Sequence, residues 1–272
     1  MTGTTLGSFS AVDDDPASLA LVAALDDVAA MPAVQRLRGT ATDLLAVRSG
    51  DRVLDVGCGT GDVARVLAVL VGPSGSVVGI DPSQTMLDEA ARRTPPQLPV
   101  EYRVGDAAQL DLDDGSFDGC RCERVLQHIA EPQRAMAELV RVTKPGGPVV
   151  VIDTDWGMHA IHGAAAHLTS KVIAAWVDVA ANGWSGRRLP ALFAGEGIRR
   201  PVVVAETFIS TDPERPSKPP FTLMAQAAER CGALAPGDGD EWLRQLAEAG
   251  RDGRFFWAAT MFAVAGQVPR RP

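Results

Sequence analysis

Lysine is scarce in this sequence of 272 residues, and basic charge as a whole is in deficit. Lysine occurs three times, and 26 lysine and arginine residues face 34 aspartate and glutamate residues, which gives a formal net charge of −8. An acidic chain does not offer the broad basic surface that binds nucleic acid. We therefore expect a small-molecule partner and no nucleic-acid partner.

Cysteine is also rare, and the four cysteines form no C-x-x-C pair. They are Cys58, Cys120, Cys122 and Cys231. This number is too low for a disulfide scaffold, and the spacing does not suit a structural zinc site, so we expect a reducing cytoplasm and no metal. No apolar run reaches the length of about 18 residues that a membrane span needs. Residues 1–16 contain three consecutive aspartates and no basic region followed by an apolar run, so we expect no secretory signal peptide.

What is present is an ordinary globular composition, with 46% hydrophobic and 22% charged residues. We expect one domain in four parts. They are a mobile acidic arm at 1–16, an N-terminal helical lid at 17–49, a core at 50–154, and at 155–272 the rest of the same domain, with helices that cover the substrate and the last two strands. The sequence leaves a homodimer open.

Short β-branched runs alternate with helical segments from residue 52 onward, which is typical of βαβ units and a parallel sheet. The predicted strands are 53–56, 77–80, 100–104, 117–122 and 149–152, and the helices between them are 61–71, 83–93 and 132–142. Later predictions are a helical insertion at 157–182, a short helix at 187–195, a strand at 201–209, a proline-rich loop at 212–220, helices at 221–232 and 239–250, and a strand at 255–264.

A glycine-rich turn follows the first strand and contains Gly57, Gly59 and Gly61, with Asp55 before it and Cys58 inside it. A loop without side chains at the end of a strand lets a nucleotide-like ligand approach the backbone. The third glycine comes one residue earlier than in the dinucleotide fingerprint, which disfavours a nicotinamide cofactor. Cys58 is interpreted as a small space-filling residue rather than a catalytic thiol.

Acidic residues follow the second and third strands, namely Asp81 before Pro82, and Asp106 before Ala107. A carboxylate at a strand end can accept hydrogen bonds from both hydroxyls of a vicinal diol. Taken alone, Asp81 is equally typical of a helix N-terminal acid, and Asp106 of a turn.

The run at 53–61 resembles motif I of the class I S-adenosylmethionine (SAM)-dependent methyltransferases, and the motifs up to residue 154 follow in that family's order. The resemblance implies an α/β, Rossmann-like, seven-stranded and mostly parallel sheet with an antiparallel last strand, and SAM as cofactor. It also implies that Asp81 binds the ribose, and that Asp106 and the amide of Ala107 bind the adenine. The full set of predicted cofactor-binding residues is Asp55, Gly57, Cys58, Gly59, Gly61, Asp81, Pro82, Met86, Asp106, Ala107, Cys122 and Glu123.

Three residues after the fourth and fifth strands are candidate catalytic groups: His128, Asp153 and Asp155. An imidazole that titrates near neutral pH suits a general base, although His128 could equally cap a helix end. Either aspartate could accept a proton or orient the acceptor, and Asp155 could instead begin the next segment.

The predicted substrate-binding residues are Arg124, Gln127, His159 and Trp184. His159, His162 and His167 lack the further ligands that a metal site needs, so no metal is predicted. Arg187 or Arg188 could clamp an acidic substrate group, or pair with a surface carboxylate.

The resemblance predicts methyl transfer to a C, N or O atom of a small molecule, with a secondary metabolite as our first choice. Two alternatives remain at this point. One is a SAM-dependent cyclase that does not methylate, and the other is a non-catalytic SAM-binding module.

Overall fold

A computed structural model describes residues 22, 26–213 and 221–270. The predicted acidic arm at 1–16, the first part of the predicted lid and most of the proline-rich loop at 212–220 lie outside the described residues.

Seven strands and eight helices follow one another along the described residues. The strands are β1 (Arg52–Val56), β2 (Ser76–Asp81), β3 (Val100–Val104), β4 (Gly119–Glu123), β5 (Pro148–His162), β6 (Val202–Ser210) and β7 (Phe256–Gln267). The helices are α1 (Pro32–Leu45), α2 (Asp62–Val71), α3 (Gln84–Arg93), α4 (Pro132–Val142), α5 (Ala166–Val179), α6 (Ser185–Gly195), α7 (Phe221–Arg230) and α8 (Asp238–Arg251). A single 3-10 turn spans Leu126–His128.

All seven strands form one sheet in the order β3-β2-β1-β4-β5-β7-β6. The strands from β1 to β5 pair in parallel, whereas β7 is antiparallel to both β5 and β6. The predicted seven-stranded, mostly parallel α/β sheet is therefore confirmed. Its strand order reverses between β1 and β4, and in such sheets a ligand binds beyond the carboxyl ends of the strands at that point.

Apolar residues of the central strands alternate between two cores, one on each face of the sheet. Val53 packs into the core formed with α1, α2, α5, α7 and α8, while Leu54 packs into the core formed with α4 and α6. Cys120 and Cys122 lie together in the second core and are free thiols.

The prediction of a helix over 157–182 is wrong in its first part, because β5 continues as a strand to His162. The extension is held by antiparallel pairing with the start of β7, and α5 begins only at Ala166. The register shifts between Asp155 and Ala160, so residues 156–159 stand opposite Ala259 alone. Tertiary pairing with a strand about 100 residues later in the sequence thus overrides the local alanine-rich, helix-favouring pattern.

Helix α1 lies within the predicted lid. Its buried stripe, which includes Val34, Leu37 and Ala41, packs over the half of the sheet that contains β5, β6 and β7. Within the described part of the chain, none of the helices combines the length and apolar character needed to cross a membrane.

Candidate active site

The loop after β1 is held against β2 by its own backbone. The amides of Gly57 and Cys58 both donate to the carbonyl oxygen of Ile80, at 2.6 and 2.9 Å. Gly57, Gly59 and Gly61 all have positive φ angles, between 51° and 75°, which explains why glycine occupies each position.

The three loop glycines differ in what surrounds them. A Cβ added to Gly57 would lie 2.0 Å from a methyl group of Val125, and one added to Gly61 would lie 2.3 Å from the Tyr102 hydroxyl. A Cβ on Gly59 would meet no atom within 4 Å. Two glycines therefore allow close packing inside the protein, whereas Gly59 leaves bare backbone beside open space at the carboxyl edge of the sheet.

Asp81 ends β2 and joins the two adjacent loops. Its Oδ2 accepts a hydrogen bond from the Gly59 amide at 2.9 Å, and its Oδ1 accepts from the Ser83 amide at 3.0 Å. Ser83, rather than Asp81, caps α3, because its Oγ accepts from the Met86 amide. Ser83 is therefore the helix cap, and Asp81 is the carboxylate at the strand end. The sequence alone had left both roles open for Asp81.

The other predicted cofactor residues that follow β2 and β3 differ in their exposure. Pro82 and Asp106 are exposed, Ala107 is buried, and the Met86 side chain is enclosed beneath α3. Asp106 also accepts a hydrogen bond from the Ala108 amide at 2.8 Å, which is the turn interaction considered above.

A charged cluster is buried beneath α1. The Arg121 guanidinium is fully buried between Glu123, with which it forms an ion pair, and Asp55, whose Oδ1 lies 3.8 Å from its Nη1. From α1, Arg38 donates to both carboxylate oxygens of Glu123, at 2.8 to 3.0 Å. Burial raises the pKa of Asp55 to about 6, whereas Arg121 and Arg38 outweigh burial and lower the pKa of Glu123 to about 2.

Arg124 follows β4 with a φ of 57°, a backbone conformation rare for residues other than glycine. Its amide donates to the Ile152 carbonyl oxygen at 2.7 Å, and its side-chain Nε is buried without a hydrogen-bond partner, 3.6 Å from Glu123. Strain of this kind tends to occur where a side chain is held for binding or catalysis.

His128 ends the 3-10 turn and lies against Gln127, with 3.0 Å between the His128 Nε2 and the Gln127 Nε2. Burial, with Arg124 as a second cause, lowers the pKa of His128 to about 4. The imidazole is therefore neutral at pH 7, and its Nε2 accepts a hydrogen bond from the Gln127 amide nitrogen, which can only donate. The buried Gln127 Oε1 has no hydrogen-bond partner.

Asp153 and Asp155 lie on the same face of β5 but in different environments. Ser185 donates to the Asp153 Oδ2 at 2.8 Å, whereas the Asp153 Oδ1 is buried with no hydrogen-bond partner. Burial raises the pKa of Asp153 to about 8. Asp155 has both oxygens bound by Arg187, at 2.5 Å from Nε and 2.8 Å from Nη2.

The ion pair with Asp155 leaves Arg187 attached to the protein rather than directed at a substrate. The Arg187 guanidinium also lies over the Trp184 ring, 4.1 Å from its centroid. Trp184 in turn packs on Gly157, where a Cβ would lie 2.3 Å from the indole. Arg187 therefore pairs with a carboxylate, but with the buried Asp155 and not with the surface carboxylate that the sequence suggested.

His159 lies apart from the glycine loop, in a cluster of tryptophans. Its ring stacks on Trp156 with 5.6 Å between centroids, and its Nδ1 accepts a hydrogen bond from the Trp257 Nε1 at 3.2 Å. His162 and His167 are exposed. Among the residues that the structure describes, no three His, Cys, Asp or Glu side chains are grouped so that they could hold a metal ion.

Sequence reasoning missed Arg38, Arg121 and Ser185, although two of them carry a signal. Central parallel strands are usually apolar throughout, so a charge at Arg121, in register with Asp55 on β1, indicates a buried network. Arg38 lies four residues after Val34, beside the apolar stripe of α1. Ser185 carries no comparable signal, because its partner Asp153 is 32 residues away.

Comparison with known proteins adds family evidence to this geometry. Residues 54–151 match the family model described as a methyltransferase domain. An uncharacterized 37.1 kDa protein in transposon TN4556 of Streptomyces fradiae is 36% identical over 268 residues, which cover 95% of this chain and 73% of that protein. A demethylmenaquinone methyltransferase of Staphylococcus aureus is 41% identical over 110 residues, but these are only 40% of this chain and 46% of that enzyme.

A solved structure has a similar fold. A Bacillus halodurans protein described as a methyltransferase superposes with a TM-score of 0.57 at 19% identity, covering 86% of this chain and 99% of that one. Together, the sheet, the glycine loop and the family match define a Rossmann-like transferase. Residues 54–151 form a methyltransferase domain of the class I, SAM-dependent kind.

Proposed function

We propose that the edge of the sheet beyond β1, β2 and β4 binds SAM, and that the enzyme methylates a small molecule of secondary metabolism. The observation that supports this proposal most directly is the difference in surroundings among the three glycines of the loop after β1. Gly57 and Gly61 are packed closely by side chains, and Gly59 alone opens to free space beside the strand-end carboxylate of Asp81.

The residues at this edge fit the chemistry of the cofactor. The Asp81 carboxylate, which holds the Gly59 and Ser83 amides at this edge, would accept hydrogen bonds from the ribose hydroxyls. The Glu123 carboxylate is buried and held by Arg38 and Arg121, so at the end of β4 the Arg124 guanidinium would meet the carboxylate of the amino-acid part of the cofactor. The side chain of Cys122 is buried in the core, so only its backbone is available to a ligand.

Further along the edge, the exposed Asp106 would accept from the adenine amino group and the Ala107 amide would contact the ring. Pro82 lines the approach to this region, and the buried Met86 supports α3 from below. Asp55 lies beside Arg121 and would hold its guanidinium beneath the site.

SAM supplies a methyl group already activated by its sulfonium, so the protein chiefly has to align the acceptor and accept a proton where the acceptor has one. His128 is the neutral base for that proton. Asp153, held by Ser185, lies near the backbone of Gln127 and the Arg124 guanidinium, and these three residues would orient the acceptor. Asp155 acts as a positioning residue by fixing Arg187 and α6.

Three measurements test this function. Calorimetry should show that SAM binds the purified protein, and incubation with SAM and a panel of phenols, naphthoquinones and amines should release S-adenosylhomocysteine together with a methylated product. A converted product without S-adenosylhomocysteine would identify a cyclase instead. Absence of SAM binding would overturn the proposal.

A further inference from the structure

Two buried N–H groups, one near the end of β5 and one in α5, have no acceptor. One is the Nε2 of His159 and the other is the Nε1 of Trp176, on residues that are only 8% and 6% exposed. A buried donor without a partner is uncommon and costs free energy, because it loses its hydrogen bond to water. Such a donor is therefore expected to meet an acceptor in some state of the protein.

The tautomer of His159 is fixed by its neighbour. The indole nitrogen of Trp257 can only donate, and it donates to the Nδ1 of His159 at 3.2 Å. The histidine proton must then be on Nε2, the atom without a partner. Burial also lowers the pKa of His159 to about 4, so the ring is an uncharged donor at neutral pH.

Both donors adjoin the same aromatic ring. Trp156 stacks on His159 at 5.6 Å and meets Trp176 edge to face at 5.7 Å between centroids. Trp156 is only half-buried, and it belongs, with His159, to the bulge of residues 156–159 that faces Ala259. Bulges often redirect side chains next to active sites. Here the bulge holds the half-buried ring of Trp156 beside the donor of His159.

We propose that His159 and Trp176 recognise the acceptor by donating hydrogen bonds to a carbonyl oxygen of a flat, apolar, ring-bearing molecule that stacks on Trp156. This inference rests on the proposed methyltransferase function and adds the substrate class. Neither donor atom can accept a hydrogen bond, so an amine or hydroxyl placed there would leave its own proton unpaired in an apolar wall. A carbonyl oxygen has no proton to satisfy, and two lone pairs for two donors.

A pair of matched probes tests the carbonyl preference. 1-Tetralone and tetralin share a bicyclic skeleton and differ by one carbonyl, and their dissociation constants can be compared by calorimetry in the presence of S-adenosylhomocysteine. We expect 1-tetralone to bind at least about fivefold more tightly, the value of one net hydrogen bond. Equal binding of the two probes, or no binding of 1-tetralone, would overturn the proposal.

His159→Phe and Trp176→Phe keep an aromatic ring and remove one donor each, so each should bring the affinity ratio of the two probes towards one. His162→Phe, on the exposed end of the same strand, is the matched control and should keep the wild-type ratio. A ratio that survives in both donor variants would mean that the donors are only structural. If the variants do not fold, the indole N–H resonance of Trp176 in the wild-type protein must move with 1-tetralone and not with tetralin.

SAM affinity, measured on the same samples, separates the two proposals. Intact SAM binding without a carbonyl preference removes only the substrate class. A carbonyl preference without SAM binding removes the proposed function and leaves a carbonyl-binding site.

Discussion

Asp81 is the residue on which the cofactor assignment depends most, since its carboxylate binds both adjacent loops by their amides. In Asp81→Asn, the amide nitrogen would replace one acceptor oxygen and face an N–H donor. We expect the affinity for S-adenosylhomocysteine, measured by calorimetry, to fall by about tenfold or more, because hydrogen bonds to charged groups contribute about 1.5–3 kcal/mol. Asp88→Asn on the exposed side of α3 is the control and should bind normally.

Arg121 provides the second prediction at this scale. Arg121→Met leaves Glu123 with less compensation inside the protein, and breaking a buried pair in this way costs about 3–5 kcal/mol. Urea unfolding should show that loss. Arg244→Met, which removes an exposed pair with Glu241, should change the unfolding free energy by less than about 1 kcal/mol. Equal losses in the two variants would contradict a special role for the buried cluster.

For single residues, the sequence predicted the residue type and its position in the fold better than the groups that the side chain contacts. The glycines and Asp81 fall where the motif order put them, because close backbone approach needs glycine and a strand end exposes an acid. The partner of Arg187 could not be predicted in this way, since its bond to Asp155 joins residues 32 positions apart. The protonation of Asp153 and His128 was equally inaccessible, because it follows from burial.

At the scale of elements, α1 is attached to the sheet by a fully buried stripe. Leu37 is 1% exposed in the core beneath it, and Leu37→Ala should lower the free energy of unfolding by about 2–5 kcal/mol. Leu70→Ala makes the same change on the outer side of α2, where the residue is 43% exposed. In urea unfolding, Leu70→Ala should lose less than about 1 kcal/mol, which would show that the larger loss in Leu37→Ala comes from packing and not from helix propensity. Similar losses in the two variants would mean that α1 is docked weakly.

The regular βαβ elements could be predicted because each strand and helix there has its own local hydrophobic period. The end of β5 could not, since the segment up to His162 is a strand only through its pairing with β7. Its alanine and histidine residues carry no strand signal of their own.

Across the whole molecule, buried titratable groups make stability depend on pH in two opposite directions. His159 has a pKa of about 4 in the folded state and about 6.5 when unfolded, so the unfolded chain binds the extra proton between these values and stability falls as the pH is lowered. Asp153, with its pKa raised to about 8, stabilises at low pH, and this contribution is lost as the pH rises towards 8.

Comparison of variants isolates the histidine contribution. Between pH 7 and pH 5, the wild type should lose about 2 kcal/mol of unfolding free energy relative to His159→Phe, measured by urea titration at each pH. His162→Phe should follow the wild type, because that residue is exposed. Parallel curves for the wild type and His159→Phe would show that His159 is not held neutral by burial.

The bulge at 156–159 divides β5 into two stretches whose registers are set separately. Up to Asp155 the strand is aligned by β4 and the body of β7, and from Ala160 by the first residues of β7. A one-residue insertion inside an unbroken strand would turn every later side chain to the opposite face. Here the bulge can absorb such an insertion, so the loop that surrounds Trp156 can change in length and sequence while the β1–β4 edge of the sheet keeps its geometry. Changes confined to these four residues would alter the proposed acceptor contact at Trp156 without rebuilding the proposed cofactor site.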